Sequence, residues 1–100
     1  MEQIPTITEE HFHSHLRRRM EQRGIKEEEV RKTLRDGWDA PDAKPGTQGR
    51  ISVFTYDAVW EESHYEEKEV TVYFKFEEEQ LILLTAIARY GQNFSREDPS

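Results

Sequence analysis

The chain predicts an α+β domain, with two N-terminal helices packed on a small twisted antiparallel sheet of three to four strands. Three observations carry this expectation. Apolar residues recur at helical spacing through the first third of the chain, and each run ends at a glycine. Beyond residue 50 the period falls to two, the period of a pleated strand. The 100 residues leave room for one modest core, so the whole chain, 1–100, is expected to form a single domain. Its core should span about 8–91, with a flexible tail over 92–100.

Met1–Ile7 reads as a lead-in, with Pro5 favouring extended backbone. Thr8 is a suitable N-cap, and Glu9 and Glu10 complement a helix N-terminus. The first helix should run to about Arg23 and stop at Gly24, with Phe12, Leu16 and Met20 as a narrow apolar stripe. A second helix is expected over Glu27–Arg35, contributing Val30 and Leu34 and ending at Gly37. Lys26 stands where a capping Ser or Thr is expected. The link between the helices is so short that they should form a tight αα corner. Asp39–Gly49 holds two prolines and two glycines and reads as a loop.

Three strands are expected after that. Arg50–Tyr56 alternates, and Glu69–Phe76 places Val70, Val72, Phe74 and Phe76 on one face. Leu81–Tyr90 is more continuously apolar, as for a central strand covered on both faces. Glu77–Gln80 is a polar turn. Trp60–Lys68 is compatible with an acidic hairpin loop or with an extension of the first strand.

The net charge is −7, which disfavours indiscriminate nucleic-acid binding. The charge is not evenly spread. Residues 11–35 hold eight Lys/Arg against four Asp/Glu, whereas residues 57–79 hold two Lys against nine Asp/Glu. No cysteine is present, so disulfide and thiolate chemistry are excluded. The longest apolar run, Leu81–Leu84, falls far short of the roughly 20 residues of a membrane-spanning helix. Met1–Glu10 lacks the basic and apolar pattern of a secretory signal. No membrane association and a cytoplasmic location are expected.

His11, His13 and His15 form an HxHxH pattern. On a helix only His11 and His15 are near neighbours, a weak metal signal, and no metal or other cofactor is expected. His15, Arg19 and Arg23 form a second four-spaced stripe, about 60° round from the apolar one. They flank the buried face, where a row of His and Arg can hold phosphate. In the competing structural reading Arg19 or Arg23 pairs with Glu27–Glu29 or caps helix carbonyls. Arg17 and Arg18 lie on other faces, and Arg18 extends a basic patch. In the sheet, Arg89 ends an apolar strand and needs a partner or an exit to water. Tyr73 and Lys75 share a face of the preceding strand and are binding candidates beside Arg89.

The segment His15–Val30 (HLRRRMEQRGIKEEEV), followed by Leu34 and Gly37, resembles the opening of a family of short prokaryotic proteins of unknown function related to RelE/ParE-type toxins. The closing Leu84–Tyr90 strand is compatible with it. The resemblance covers about residues 10–90. It implies a toxin-like fold and a metal-independent ribonuclease or RNA-binding protein. It makes His15 the acid/base candidate and Arg19, Arg23 and Arg89 the phosphate-binding candidates. The competing reading is a non-catalytic interaction module that keeps the fold. That module would pair with a second copy or a basic protein through Trp38, Trp60 or an exposed strand edge.

Overall fold

The computed structural model describes residues 3–95. Two helices, α1 (Ser14–Arg23) and α2 (Glu27–Asp36), precede a four-stranded antiparallel sheet in the order β1-β2-β3-β4. Its strands are β1 (Trp38–Asp39), β2 (Gln48–Trp60), β3 (Ser63–Glu77) and β4 (Gln80–Gly91). The α+β class and the helical pair on an antiparallel sheet are as expected.

The first helix begins later than its pattern suggests. Thr8 caps only a 3-10 turn, Glu9–His11, in which His11 Nδ1 accepts the Thr8 N–H at 3.0 Å. Phe12 then leaves helical geometry (φ −93°, ψ 72°) and buries its ring. The guanidinium groups of Arg17 and Arg31 lie 5.5 and 5.0 Å from that ring's centroid. His13 restarts the helix as N-cap, its Nδ1 accepting the Leu16 N–H at 3.3 Å. A histidine acceptor thus does what Ser or Asp usually does at this position.

The R-G-I segment is a Schellman motif. Gly24 adopts φ 70°, its N–H reaches Glu21 O at 3.3 Å, and the Ile25 N–H reaches Met20 O at 2.8 Å. Ile25 is then buried in the core. Lys26 lacks a capping hydroxyl, but Glu29 Oε1 reaches back to the Lys26 N–H at 2.9 Å, which is half of a capping box.

Phe12, Leu16, Met20, Ile25, Val30 and Leu34 meet Val70, Val72, Phe74, Leu81, Leu83 and Ala86 in one core. The helices therefore cover one face of the sheet. The register places Trp38, Ile51, Thr71 and Ile87 in one cross-strand row on the other face.

Two expectations are corrected. The loop read over Asp39–Gly49 takes in the end of β1 and the start of β2 at Gln48. β4 is an edge strand rather than a central one, since among the described residues it pairs with β3 alone. Of the two readings open for Trp60–Lys68, strand is the one found: β2 and β3 pair down to Trp60 opposite Ser63. Of the tail, Phe94 donates its N–H to Glu67 Oε1 at 2.9 Å, while 96–100 lie outside the described residues.

Both hairpins use two-residue turns made of glutamates. Glu61 and Glu62 have φ of 48° and 74°, and Glu78 and Glu79 have 50° and 70°. Positive φ at both positions is the type I′ pattern, which favours Asn-Gly. Changing Glu78→Asn together with Glu79→Gly is therefore expected to raise unfolding free energy by about 1 kcal/mol. Urea denaturation checks this, and an unchanged midpoint would count against the strain argument.

Candidate functional site

An edge strand leaves a row of unpaired backbone groups that must find partners. On β4 those partners come from α1. The register slips between Tyr73 and Phe74, leaving Leu84 as an extra residue, so Leu83 and Ala86 are in phase. His13 Nε2 lies 2.8 Å from Leu83 O. Arg23 Nη1 donates to Ala86 O at 2.7 Å and to Thr85 Oγ1 at 3.4 Å. With an N–H at Nδ1 and a carbonyl at Nε2, His13 accepts on one side of its ring and donates on the other, so both ring nitrogens are used.

The HxHxH pattern is thereby divided. His11 and His13 are caps. His15 is exposed, and among the described residues no hydrogen bond engages its ring, which stacks on His13 at 6.3 Å between centroids. The neighbour of His15 is thus His13 rather than His11, because the chain breaks helical geometry at Phe12. No group of three or more metal-capable side chains occurs among the described residues.

His15, Arg19 and Arg23 run along the side of α1 between the two anchor points on β4. The predicted pairing of Arg19 or Arg23 with Glu27–Glu29 does not form. Arg17 pairs with Glu27 and, at 2.6 Å, with Glu9, and Arg31 shares both acids. Hydrogen bonding to Arg17 holds the Glu9 carboxyl below its ordinary range and raises the Arg17 guanidinium in turn. Arg17, on another face of α1, is anchored by these two acids. Glu29 is taken by Lys68.

The other candidates do not join the α1 stripe. Arg89 reaches Glu69, its cross-strand neighbour, at 3.3 Å and lies 5.1 Å from the centre of the Phe94 ring. Tyr73 donates to Asp42 at 2.9 Å. Burial, and then that carboxylate, push its phenol up to about 12, so it keeps its proton near neutrality. Lys75 pairs with Glu77. Arg89, grouped with Arg19 and Arg23 by the resemblance, is thus engaged by Glu69, while Arg23 is engaged by Ala86 O. Arg89, Tyr73 and Lys75 share the open face of the sheet, each bonded to its own acid.

One charged group is not among the sequence-derived candidates. Lys68 is in phase with Val70 and Val72 on the inner face and is 1% exposed. Its Nζ reaches Glu29 Oε1 at 2.7 Å and also the carbonyl of Gly24. It lies 5.5 and 5.6 Å from the ring centroids of Tyr56 and Tyr90. Tyr90 donates to Arg23 O at 2.7 Å and stacks on Trp60 at 5.1 Å. Its phenol is raised, first by burial and then by the neighbouring Tyr56. Lys68 and Tyr90 thus hold two carbonyls at the C-terminal end of α1, the end from which Arg23 projects to β4. The alternation Lys68–Val70–Val72 was the available signal.

A family described as a domain of unknown function, DUF4258, matches residues 12–88, a span that takes in both helices and most of the sheet. The chain belongs to the DUF4258 family. No curated protein and no solved structure matches it. The DUF4258 span includes His15, Arg19, Arg23 and Lys68 and stops one residue short of Arg89. Among the described residues, no helix of this DUF4258 domain is long and apolar enough to cross a membrane.

Proposed function

We propose that this DUF4258 domain binds RNA, gripping phosphate groups along α1, in the manner of a RelE/ParE-type toxin-like domain. One observation supports the reading above others. Of the eight arginines among the described residues, Arg17, Arg31, Arg35, Arg50 and Arg89 each have a carboxylate partner. Arg18, Arg19 and Arg23 have none, and all three are on α1. In a chain with 21 Asp/Glu against 14 Lys/Arg, three guanidinium groups on one helix without a carboxylate partner among the described residues favour anions there, Arg19 and Arg23 along one stripe and Arg18 round from them. His15 stands beside them as the imidazole open to a 2′-hydroxyl or a leaving oxygen, the role of general acid or base. The acidic β2–β3 tip lies at the Arg23 end, where Glu61 acts electrostatically on Tyr90. Repulsion there directs a bound strand toward His15.

The test is fluorescence anisotropy with a labelled single-stranded RNA in EDTA, over a salt series. Three phosphate contacts on a single strand correspond to a log–log salt slope of about −2. The variant R18Q/R19Q/R23Q is expected to lose that slope and bind roughly tenfold weaker or worse, whereas Lys44→Gln binds as wild type. If the triple variant keeps the wild-type slope, the α1 face is not the binding surface. A cleavage assay on the same RNA extends the test. Product lost in His15→Ala with affinity kept would assign His15 to catalysis. Binding without product in the wild type would leave a binding domain.

A second reading rests on a different surface. Trp38, Ile51 and Ile87 lie on the sheet face that no helix covers, which suits an interaction module that pairs with a second copy. Light scattering after size exclusion should then show a concentration-dependent dimer. A monomer at every concentration sinks this reading.

A further inference from the structure

On the flank away from β4, the N-terminal segment, α2 and β2 line an open cavity of about 540 Å³. Its size falls within the range of small-molecule sites, about 300–1,000 Å³. The apolar part of its wall comes from Ile4, Ile7 and Leu34, and the charged part from Arg31, Arg35 and Arg50. No Asp or Glu among the described residues lines it. In a chain of net charge −7, three arginines converge on this wall, while the carboxylate that each one pairs with lies outside the lining.

The arginines are held in place by backbone carbonyls and by acids, Arg31 also pairing with Glu9 at 3.6 Å and Glu27 at 3.5 Å. Arg31 Nε donates to Ile7 O at 3.4 Å, and Arg50 Nη1 donates to Gly37 O at 3.4 Å. Arg50 Nε meets Asp39 at 3.3 Å, and Arg35 Nε meets Asp36 at 3.1 Å. Both acids are solvent-exposed, and such pairs contribute at most about 1 kcal/mol. Among the described residues, no partner engages the Arg35 Nη1 and Nη2 groups or the Arg50 Nη2 group. A guanidinium fork suits a planar carboxylate or a phosphate.

We propose that this cavity binds a small organic anion. Arg35 and Arg50 hold its phosphate or carboxylate head, and its apolar body lies against Ile4, Ile7 and Leu34. The proposal does not depend on the RNA reading, which concerns the other flank of the domain.

The experiment is an amide NMR titration of the full chain with phenyl phosphate. Inorganic phosphate and benzyl alcohol serve as the two half-ligands, and phenylacetate tests a carboxylate head. Phenyl phosphate or phenylacetate is expected to shift the amides of Ile4, Ile7, Arg35 and Arg50, and the tighter of the two identifies the head group. Binding should be about tenfold stronger than for either half-ligand. Arg35→Gln and Arg50→Gln should each weaken it about tenfold. Arg35→Gln is the safer variant, because Arg35 is exposed and bonds only its sequence neighbour. Three results would each overturn the proposal: shifts absent or confined to α1, inorganic phosphate binding as well as the whole probe, or both variants binding like wild type.

Discussion

Lys68→Ala is expected to cost about 3–5 kcal/mol of unfolding free energy, the range for breaking a buried ion pair from one side. A domain of this kind has about 5–15 kcal/mol in total, so much of its stability depends on one ammonium group. Glu29 is only 16% exposed in its side chain, and the substitution would leave it without its cation. The Gly24 carbonyl would lose its donor, and the cation–π contacts to Tyr56 and Tyr90 would go as well. The control is a variant that removes both charges, Lys68→Met with Glu29→Gln. A neutral pair of similar volume leaves no orphaned charge, and the introduced amide oxygen can still accept the Lys26 N–H. This variant should recover more than half of the loss. Urea denaturation of wild type, Lys68→Met, Glu29→Gln and the double variant gives the coupling energy directly. A loss under about 1 kcal/mol for Lys68→Ala would show that water reaches the pair and that the burial argument is wrong.

That same lysine marks the limit of what periodicity conveys. Periodicity reports which side of an element is buried. It therefore identifies Phe12, Leu16 and Met20 on α1 and Val70, Val72 and Phe74 on β3. It also places Lys68 on the inner face, but a lysine within an acidic run reads as solvated. The Glu61–Glu62 and Glu78–Glu79 turns carry no glycine or asparagine, so the β2–β3 hairpin cannot be told from a loop by its sequence. β4 reads as a central strand because both of its faces are apolar. The structure accounts for this differently: one face meets the helices, and the other, with Ile82 and Ile87, joins the uncovered side of the sheet. The stripe His15–Arg19–Arg23 is legible from spacing alone. The partner of each arginine is not, because the choice between Arg17 and Arg23 for Glu27 depends on the Phe12 break and on how α1 is turned against β4.

Gly24→Ala is expected to destabilise the domain by about 3 kcal/mol, from two separate causes. Gly24 sits at φ 70°, where a side chain is strained. A Cβ built there would also lie 2.6 Å from Trp60 Cζ3 and 2.7 Å from the Tyr90 hydroxyl. The strain belongs to the residue itself, while the clash belongs to its neighbours, so a second substitution separates them. Trp60→Ala removes the clashing indole and leaves the backbone strain and the Tyr90 contact in place. The double variant should therefore lose clearly less than the sum of the two singles, by about 1 kcal/mol or more. Strict additivity in urea denaturation would show that Trp60 does not pack on the turn. The same pair of variants connects the fold to the proposed site. If α1 is held at Gly24 and Arg23 by Lys68 and Tyr90, displacing Tyr90 lets Arg23 leave Ala86 O. Gly24→Ala should then weaken RNA binding, under conditions where it stays folded, without changing the number of positive charges. A charge-only account of α1 predicts no such loss.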